Sequence, residues 1–251
     1  MRLNKFISET GACSRREADA LIAEGRVTLN GRPAEVGAVV ESGDDVRLDG
    51  APVGPARKQA RPVYIALNKP VGITCTTERH VAGNIIDFVD HPERIFPIGR
   101  LDKDSEGLIL LTNDGDIVNP ILRAEGRHEK EYLVAVDGPP DDRFLATMAR
   151  GVRILGTTTR PCRVARIGPR AFRIVLTEGM NRQIRRMCEV LGRRVVALQR
   201  VRIMGVHLGK LKVGRWRNLT PAELRGLLPG PGKAPGPAPA GSSPRRPRRP
   251  R

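Results

Sequence analysis

Residues 50–62, GAPVGPARKQARP, hold glycine, proline, alanine and basic side chains without any hydrophobic period. Such a stretch reads as a linker, and it divides the chain into a small N-terminal unit and a larger body. In the first unit, Leu3, Phe6 and Ile7 are spaced to share one face of a short helix that ends near Gly11. A second helix starts at Ser14, with Glu17 three residues on in a capping box and Gly25 as its stop. Arg15 and Arg16 fall in its first turn, where the helix dipole disfavours cations, so they are expected to project toward an external anion. Val27 and Leu29 then precede an Asn30-Gly31 turn, and Val46 and Leu48 precede Asp49-Gly50, a hairpin signature.

Two short helices, a V-x-L-N-G turn and a final D-x-V-x-L strand resemble the alpha-L, or S-four, RNA-binding domain, over residues 1–49. Beyond the linker, residues 63–228 alternate strand and helix patterns. Strands are expected at 63–68, 107–113, 130–136 and 171–177, and helices at 84–88, 117–123, 141–151 and 182–191. They do not follow a βαβ rhythm, which predicts an α+β fold with a mixed, mostly antiparallel sheet. Residues 229–251 contain eight prolines, six basic residues and no acid, and are expected to be disordered.

A net charge of +17 fits a partner with a phosphate backbone, and the tail supplies only six of those charges. Arginine provides 36 of the 44 basic residues, so a compositional bias of the source is the alternative. Cys13, Cys75, Cys162 and Cys188 are far apart and match no metal-ligand spacing; reduced thiols are expected. No signal-peptide or membrane-spanning pattern is present, so a cytoplasmic protein without membrane contact is expected, and nothing indicates an obligate dimer rather than a monomer.

The segment Ile98 to Gly115, IGRLDKDSEGLILLTNDG, presents acidic side chains just before an apolar run. Asp102 lies between Arg100 and Lys103, with Gly99 and Gly107 placed to let a ligand approach the backbone. A charged turn before a buried strand is the plainer reading. The segment is accompanied by Asn68-Lys69-Pro70-Val71-Gly72, by Glu129-Lys130-Glu131-Tyr132, and by Glu178-Gly179-Met180-Asn181-Arg182-Gln183-Ile184-Arg185-Arg186-Met187. KPxG, GRLDxxSxGLxLLTNDG, KxY and EGxxRQIRRM, in this order behind an alpha-L domain, resemble the RsuA-type family of RNA pseudouridine synthases, most of all its RluF branch, with RluB and RluE as neighbours.

The resemblance implies isomerisation of a uridine in structured RNA, ribosomal RNA of the large subunit above all, with transfer RNA open and no cofactor or metal. It implies that Asp102 is the nucleophile, that Tyr132 packs on the target base, and that Arg185 is the cation paired with the nucleophile. Such chemistry needs an ionised carboxylate, a cation to hold it so and a base near the ring. Arg100 is implied to fill the gap left by the flipped uridine. Lys69 is either the pocket floor or a surface lysine before a turn, and Tyr132 could instead be a core tyrosine. At 100° per residue, Ile184, Met187 and Leu191 form an apolar stripe, Arg185 its flank, and Arg182 and Arg186 the opposite face, as phosphate contacts or a solvated surface. Asp104, Asp114 and Asp116 read as turn and capping residues. The rival function is a non-catalytic RNA-binding or ribosome-assembly protein. A metal-dependent RNA hydrolase is disfavoured, because His80, His91, His128 and His207 are scattered.

Overall fold

A computed structural model describes residues 1–54, 62–122 and 128–227 of the 251. The tail at 229–251 and most of the expected linker lie outside these residues.

The N-terminal unit comprises helices α1 (Leu3–Glu9) and α2 (Arg15–Ala23) against strands β1 (Val27–Leu29), β2 (Arg32–Pro33), β3 (Val46–Leu48) and β4 (Ala51–Pro52), ordered β2-β1-β3-β4. The capping box of α2 is formed: the Ser14 hydroxyl accepts from the Glu17 amide at 3.2 Å, and the Ser14 amide donates to the Glu17 carboxylate at 2.6 Å. Asn30 and Gly31 have φ of 52° and 76°, and Asp49 and Gly50 have 52° and 77°, as two-residue hairpin turns require. Leu3, Ile7, Ala18, Ile22, Val27, Val40 and Val46 form its core. One expectation is corrected. Strand pairing continues past Asp49 into the supposed linker, because β4 pairs β3 and Val53 packs on this core.

The body contains β5 (Tyr64–Lys69), α3 (Ile85–Val89), β6 (Phe96–Ile98), β7 (Glu106–Thr112), α4 (Val118–Leu122), β8 (Lys130–Val136), α5 (Asp142–Arg150), β9 (Arg153–Ile154) and β10 (Thr157–Thr158). It continues with β11 (Arg163–Gly168), β12 (Ala171–Leu176), α6 (Gln183–Val190), β13 (Val195–Ile203), β14 (Val206–His207), β15 (Trp216–Asn218) and α7 (Pro221–Leu227). Nine strands form one sheet in the order β11-β12-β8-β13-β7-β5-β15, with β14 on β13 and β6 on β7. All pairings in it are antiparallel except β7 with β13.

The eight elements expected in the body are present, with ends shifted by a residue or two. The longest strand, β13, was not expected. Its register shifts between Val195 and Ala197 and again between Arg200 and Arg202, and these bulges break the alternation that identifies a strand.

One cross-strand row organises the body. Ile174, Tyr132, Arg200, Gly107 and Lys69 are register neighbours on β12, β8, β13, β7 and β5, so their side chains share a sheet face. On that face one core gathers Tyr132, Val134, Phe172 and Ile174 with Ile184 and Met187 of α6, while another gathers Ile65, Leu67, Ile109 and Leu111 with Ile85 and Val89 of α3. The opposite face buries Ala66, Leu108 and Leu110 with Ile117, Ile121 and Leu227. The N-terminal unit meets the body through polar contacts: Lys5 donates to Asp116 at 2.8 Å, and Arg94 to the Cys13 carbonyl at 2.7 Å.

Candidate active site

The row is interrupted at Gly107, and the reason is steric. A Cβ there would stand 2.3 Å from the Arg200 carbonyl oxygen and 2.7 Å from its nitrogen, so only glycine lets β7 and β13 close. The close approach expected of a ligand is therefore made by the backbone of β13. On either side stand two buried cations. Lys69 is fully buried and its ammonium donates to the carbonyls of Pro70 at 2.8 Å and Ile73 at 2.9 Å. This overturns the reading of Lys69 as a surface residue. Burial pushes the Lys69 pKa down, against the pull of Cys75, Asp102 and Asp104.

Arg200 is 4% exposed and had no signal in the sequence, since its strand was not recognised. Its guanidinium donates to the Leu108 carbonyl at 2.7 Å and to the Arg100 carbonyl at 3.3 Å, and among the described residues its buried Nη2 has no partner.

Above this floor runs the loop between β6 and β7, with its backbone held almost residue by residue. The Arg100 carbonyl takes the Arg200 bond, the Asp102 carbonyl accepts from the Ser105 amide at 3.1 Å, and the Lys103 carbonyl accepts from Gly72 at 2.7 Å. The Leu101 amide donates to the Cys75 sulfur at 3.4 Å, and the Asp104 carbonyl accepts from Arg185 at 2.8 Å. Asp102 is half-buried, and among the described residues its carboxylate has no hydrogen bond and no ion pair. The loop fixes the backbone of Asp102 and leaves its carboxylate free.

The pairing expected between Arg185 and Asp102 is not what the structure shows. Arg185 Nε lies 3.4 Å from the Asp104 carboxylate, and Nη2 also donates to the buried Ser105 hydroxyl at 3.2 Å. Asp104 additionally takes two bonds from Arg182, at 3.1 and 2.9 Å. Asp104 lies in the turn closed by the Ser105 amide, as expected of it, and is in addition an ion-pair hub facing the start of α6, where Arg182 turns the chain with φ of 50°. The Arg182 hydrogen bonds hold the Asp104 carboxyl below its ordinary pKa.

Arg182 is exposed and also engaged by the protein, and Arg186 donates to the backbone and side chain of Asn181 at 3.1 and 3.2 Å. Asp114 accepts from the Tyr64 hydroxyl at 2.7 Å and from the Asp116 amide at 3.0 Å, as a turn residue does. Tyr132 is 8% exposed, within the same core as Leu101, and its hydroxyl bonds to no described residue. Arg100, Arg15 and Arg16 are exposed, and the Arg15 guanidinium lies near Gly115 of the body.

The site thus offers a free carboxylate on a fixed loop, two buried cations beneath it, a tyrosine in the same row and exposed arginines at its rim. Among the described residues no group of three or more His, Cys, Asp or Glu could hold a metal ion.

Comparisons with known proteins agree along the chain. Residues 63–190 match the family model of RNA pseudouridylate synthase, and residues 1–46 that of the S4 domain. The chain is 57% identical over 227 residues to the dual-specificity RNA pseudouridine synthase RluF of Salmonella typhi, covering 90% of this chain and 78% of that one. It is 35% identical over 235 residues to the ribosomal large subunit pseudouridine synthase B of Bacillus subtilis, covering 90% and 95%. A crystal structure of a pseudouridylate synthase matches with a TM-score of 0.67 and 31% identity, over 91% of this chain and all of that one.

Proposed function

We propose, for a chain that belongs to the RNA pseudouridylate synthase family, that it isomerises a uridine of large-subunit ribosomal RNA with Asp102 as nucleophile and without a cofactor. Family membership makes the chain an RNA pseudouridine synthase and sets aside the non-catalytic alternative. The observation behind the finer reading is the free Asp102 carboxylate on a loop whose carbonyls at Arg100, Asp102, Lys103 and Asp104 are all bonded. A nucleophile needs its attack direction fixed and its oxygens unoccupied, and this arrangement supplies both.

In the reaction the bond between uracil N1 and the ribose breaks, the uracil turns, and the same ribose carbon bonds to C5. The C5 proton leaves to a base and N1 finishes protonated, so substrate and product are isomers and no external oxidant, reductant or metal is needed. The uridine must first leave its stack, at a cost of about a few kcal/mol that is smallest in loops and bulges. Arg100, exposed at the rim, is assigned the space it vacates. Tyr132, in the row beside Arg200, is assigned to the base.

Because Arg185 is committed to Asp104 and Ser105, the cation role is assigned instead to Lys69 and Arg182, whose charges both interact with that of Asp102. Arg185 then acts by holding the Asp104–Ser105 end of the loop.

The ribosomal target follows from the name of the Bacillus relative, and the dual specificity of the Salmonella relative extends the proposal to more than one RNA. Mapping pseudouridines in total RNA from cells with and without the gene tests it. Loss of at least one large-subunit site is expected; an unchanged ribosomal map refutes the target. Purified enzyme should retain its rate in a metal chelator, and loss of activity there refutes the cofactor-free reading.

A further inference from the structure

Residues 190–222 run for 33 positions without an acid and contain eight lysines and arginines. Several of these have protein partners: Arg200 holds the loop, Arg202 pairs with Glu129 and Glu131, and Arg217 with Glu223. Lys212 and Arg215 do not. Both are exposed, and among the described residues neither side chain has a hydrogen bond or ion pair.

These two cations flank a turn closed by the Arg215 amide on the Lys212 carbonyl at 3.0 Å, and the turn is fastened to the catalytic floor. Gly214 donates to the Asn68 carbonyl at 2.8 Å, Asn68 donates back to the Arg215 carbonyl at 3.0 Å, and the Asn68 amide group donates to Leu211 at 2.8 Å. Asn68 precedes Lys69, and Gly72 at the far end of that turn bonds Lys103 of the Asp102 loop. A short path of hydrogen bonds thus joins the turn to the site, with Arg100 and Lys103, also exposed and without side-chain partners, at its other end.

Next to Arg215, on the edge strand β15, stands Trp216, the only tryptophan in the chain. It is 38% exposed, and its ring lies tilted against that of His91, with centroids 5.4 Å apart and planes at 57°. Val213 and Phe88 are exposed beside it, and a Cβ on Gly214 would touch the Phe88 ring at 3.5 Å. A lone exposed apolar residue needs no explanation. An indole on a sheet edge with unpaired cations at its side, in a stretch without acids, has the make-up of a platform for single-stranded nucleic acid.

We propose that Lys212, Arg215 and Trp216 form a second RNA contact, outside the catalytic pocket, in which the indole stacks on an unpaired nucleobase of the substrate and the cations take adjoining phosphates. The proposal deepens the synthase reading and rests on it, since the RNA is that enzyme's substrate. Its occupant is RNA rather than a protein strand because the two cations beside the indole, Lys212 and Arg215, have no counter-charge among the described residues and suit adjoining phosphates.

The single tryptophan makes a direct test available. A transcript of large-subunit ribosomal RNA is titrated into the full chain while indole emission and binding are followed together. Saturable quenching with the binding midpoint is expected. Trp216→Ala should weaken binding roughly five- to a hundred-fold, as loss of one stacked base does, with the single-turnover rate at saturating RNA unchanged, while Trp216→Phe keeps most of the affinity. Lys212→Ala and Arg215→Ala, which do not touch the core, should each lower the salt dependence of binding by about one phosphate contact. Binding without any change in emission, together with wild-type affinity in all four variants, overturns the proposal and leaves the edge to a protein partner. Absence of pseudouridine with the wild-type protein would instead fail the target assignment, and the fluorescence and salt readings would still decide the contact.

Discussion

Replacing Gly107 by alanine perturbs the site without removing any functional group. The new methyl carbon would stand 2.3 Å from Arg200 O, 2.7 Å from its N and 3.0 Å from its C, at a backbone φ of +108°. The φ alone costs about 1–3 kcal/mol, and a contact with backbone, which cannot swing aside, about 1–3 kcal/mol more. The expected loss is therefore about 2–6 kcal/mol, a large part of the 5–15 kcal/mol typical of a folded protein. Gly31→Ala is the internal control. There φ is +76° but no atom lies within 4 Å of the Cβ, so only the conformational cost of about 1 kcal/mol remains. Urea denaturation at neutral pH compares the two, read as midpoint shifts at constant slope. Under conditions where the variant stays folded, Gly107→Ala should also slow single-turnover pseudouridine formation, because parting β7 from β13 draws Arg200 away from the Arg100 carbonyl. Equal destabilisation by both substitutions would refute the argument that Gly107 exists for the closure of β7 on β13.

Tyr132→Phe keeps the ring in the core and removes the hydroxyl; RNA binding should survive while turnover falls, and unchanged turnover in a single-turnover assay would assign Tyr132 to packing alone. Glu223 is clamped by two bonds from Arg217 at 2.7 and 2.8 Å, which hold its pKa down at about 2 from an ordinary 4.5. A depressed carboxylate stabilises the fold above its unfolded pKa and loses that contribution as pH falls through the folded value. Glu223→Gln should cost about 2 kcal/mol at neutral pH, discounted for a one-third exposed Arg217, and the gap from wild type should close between about pH 5 and pH 2. A gap independent of pH, measured by denaturation across that range, would contradict the clamp.

Much of this architecture was legible because local chemistry dictates it. The Ser14–Glu17 capping box, the Asn30-Gly31 and Asp49-Gly50 turns and the helix around Arg185 each depend on neighbours within four residues. What sequence reading missed depends on distant partners. Arg200 belongs to a bulged strand whose alternation is broken, and its partners are 92 and 100 positions away. The swap of partner at Arg185 was hidden for the same reason: Asp102 and Asp104 are two residues apart in a loop, and only the packing of α6 decides which carboxylate faces it. For Lys69 the choice between pocket floor and surface lysine stayed open because nothing local reveals the neighbours on β7 and β13 that bury it.

The free carboxylate of Asp102 is the centre of the proposed chemistry. Asp102→Asn keeps the shape of the side chain and removes its charge, and since the carboxylate bonds to no described residue the fold should not register the change. Under single-turnover conditions with excess enzyme on large-subunit ribosomal RNA, the variant should melt and bind RNA as wild type does and form no pseudouridine. Pseudouridine formation at a rate near that of the wild type would contradict the assignment of Asp102 as nucleophile.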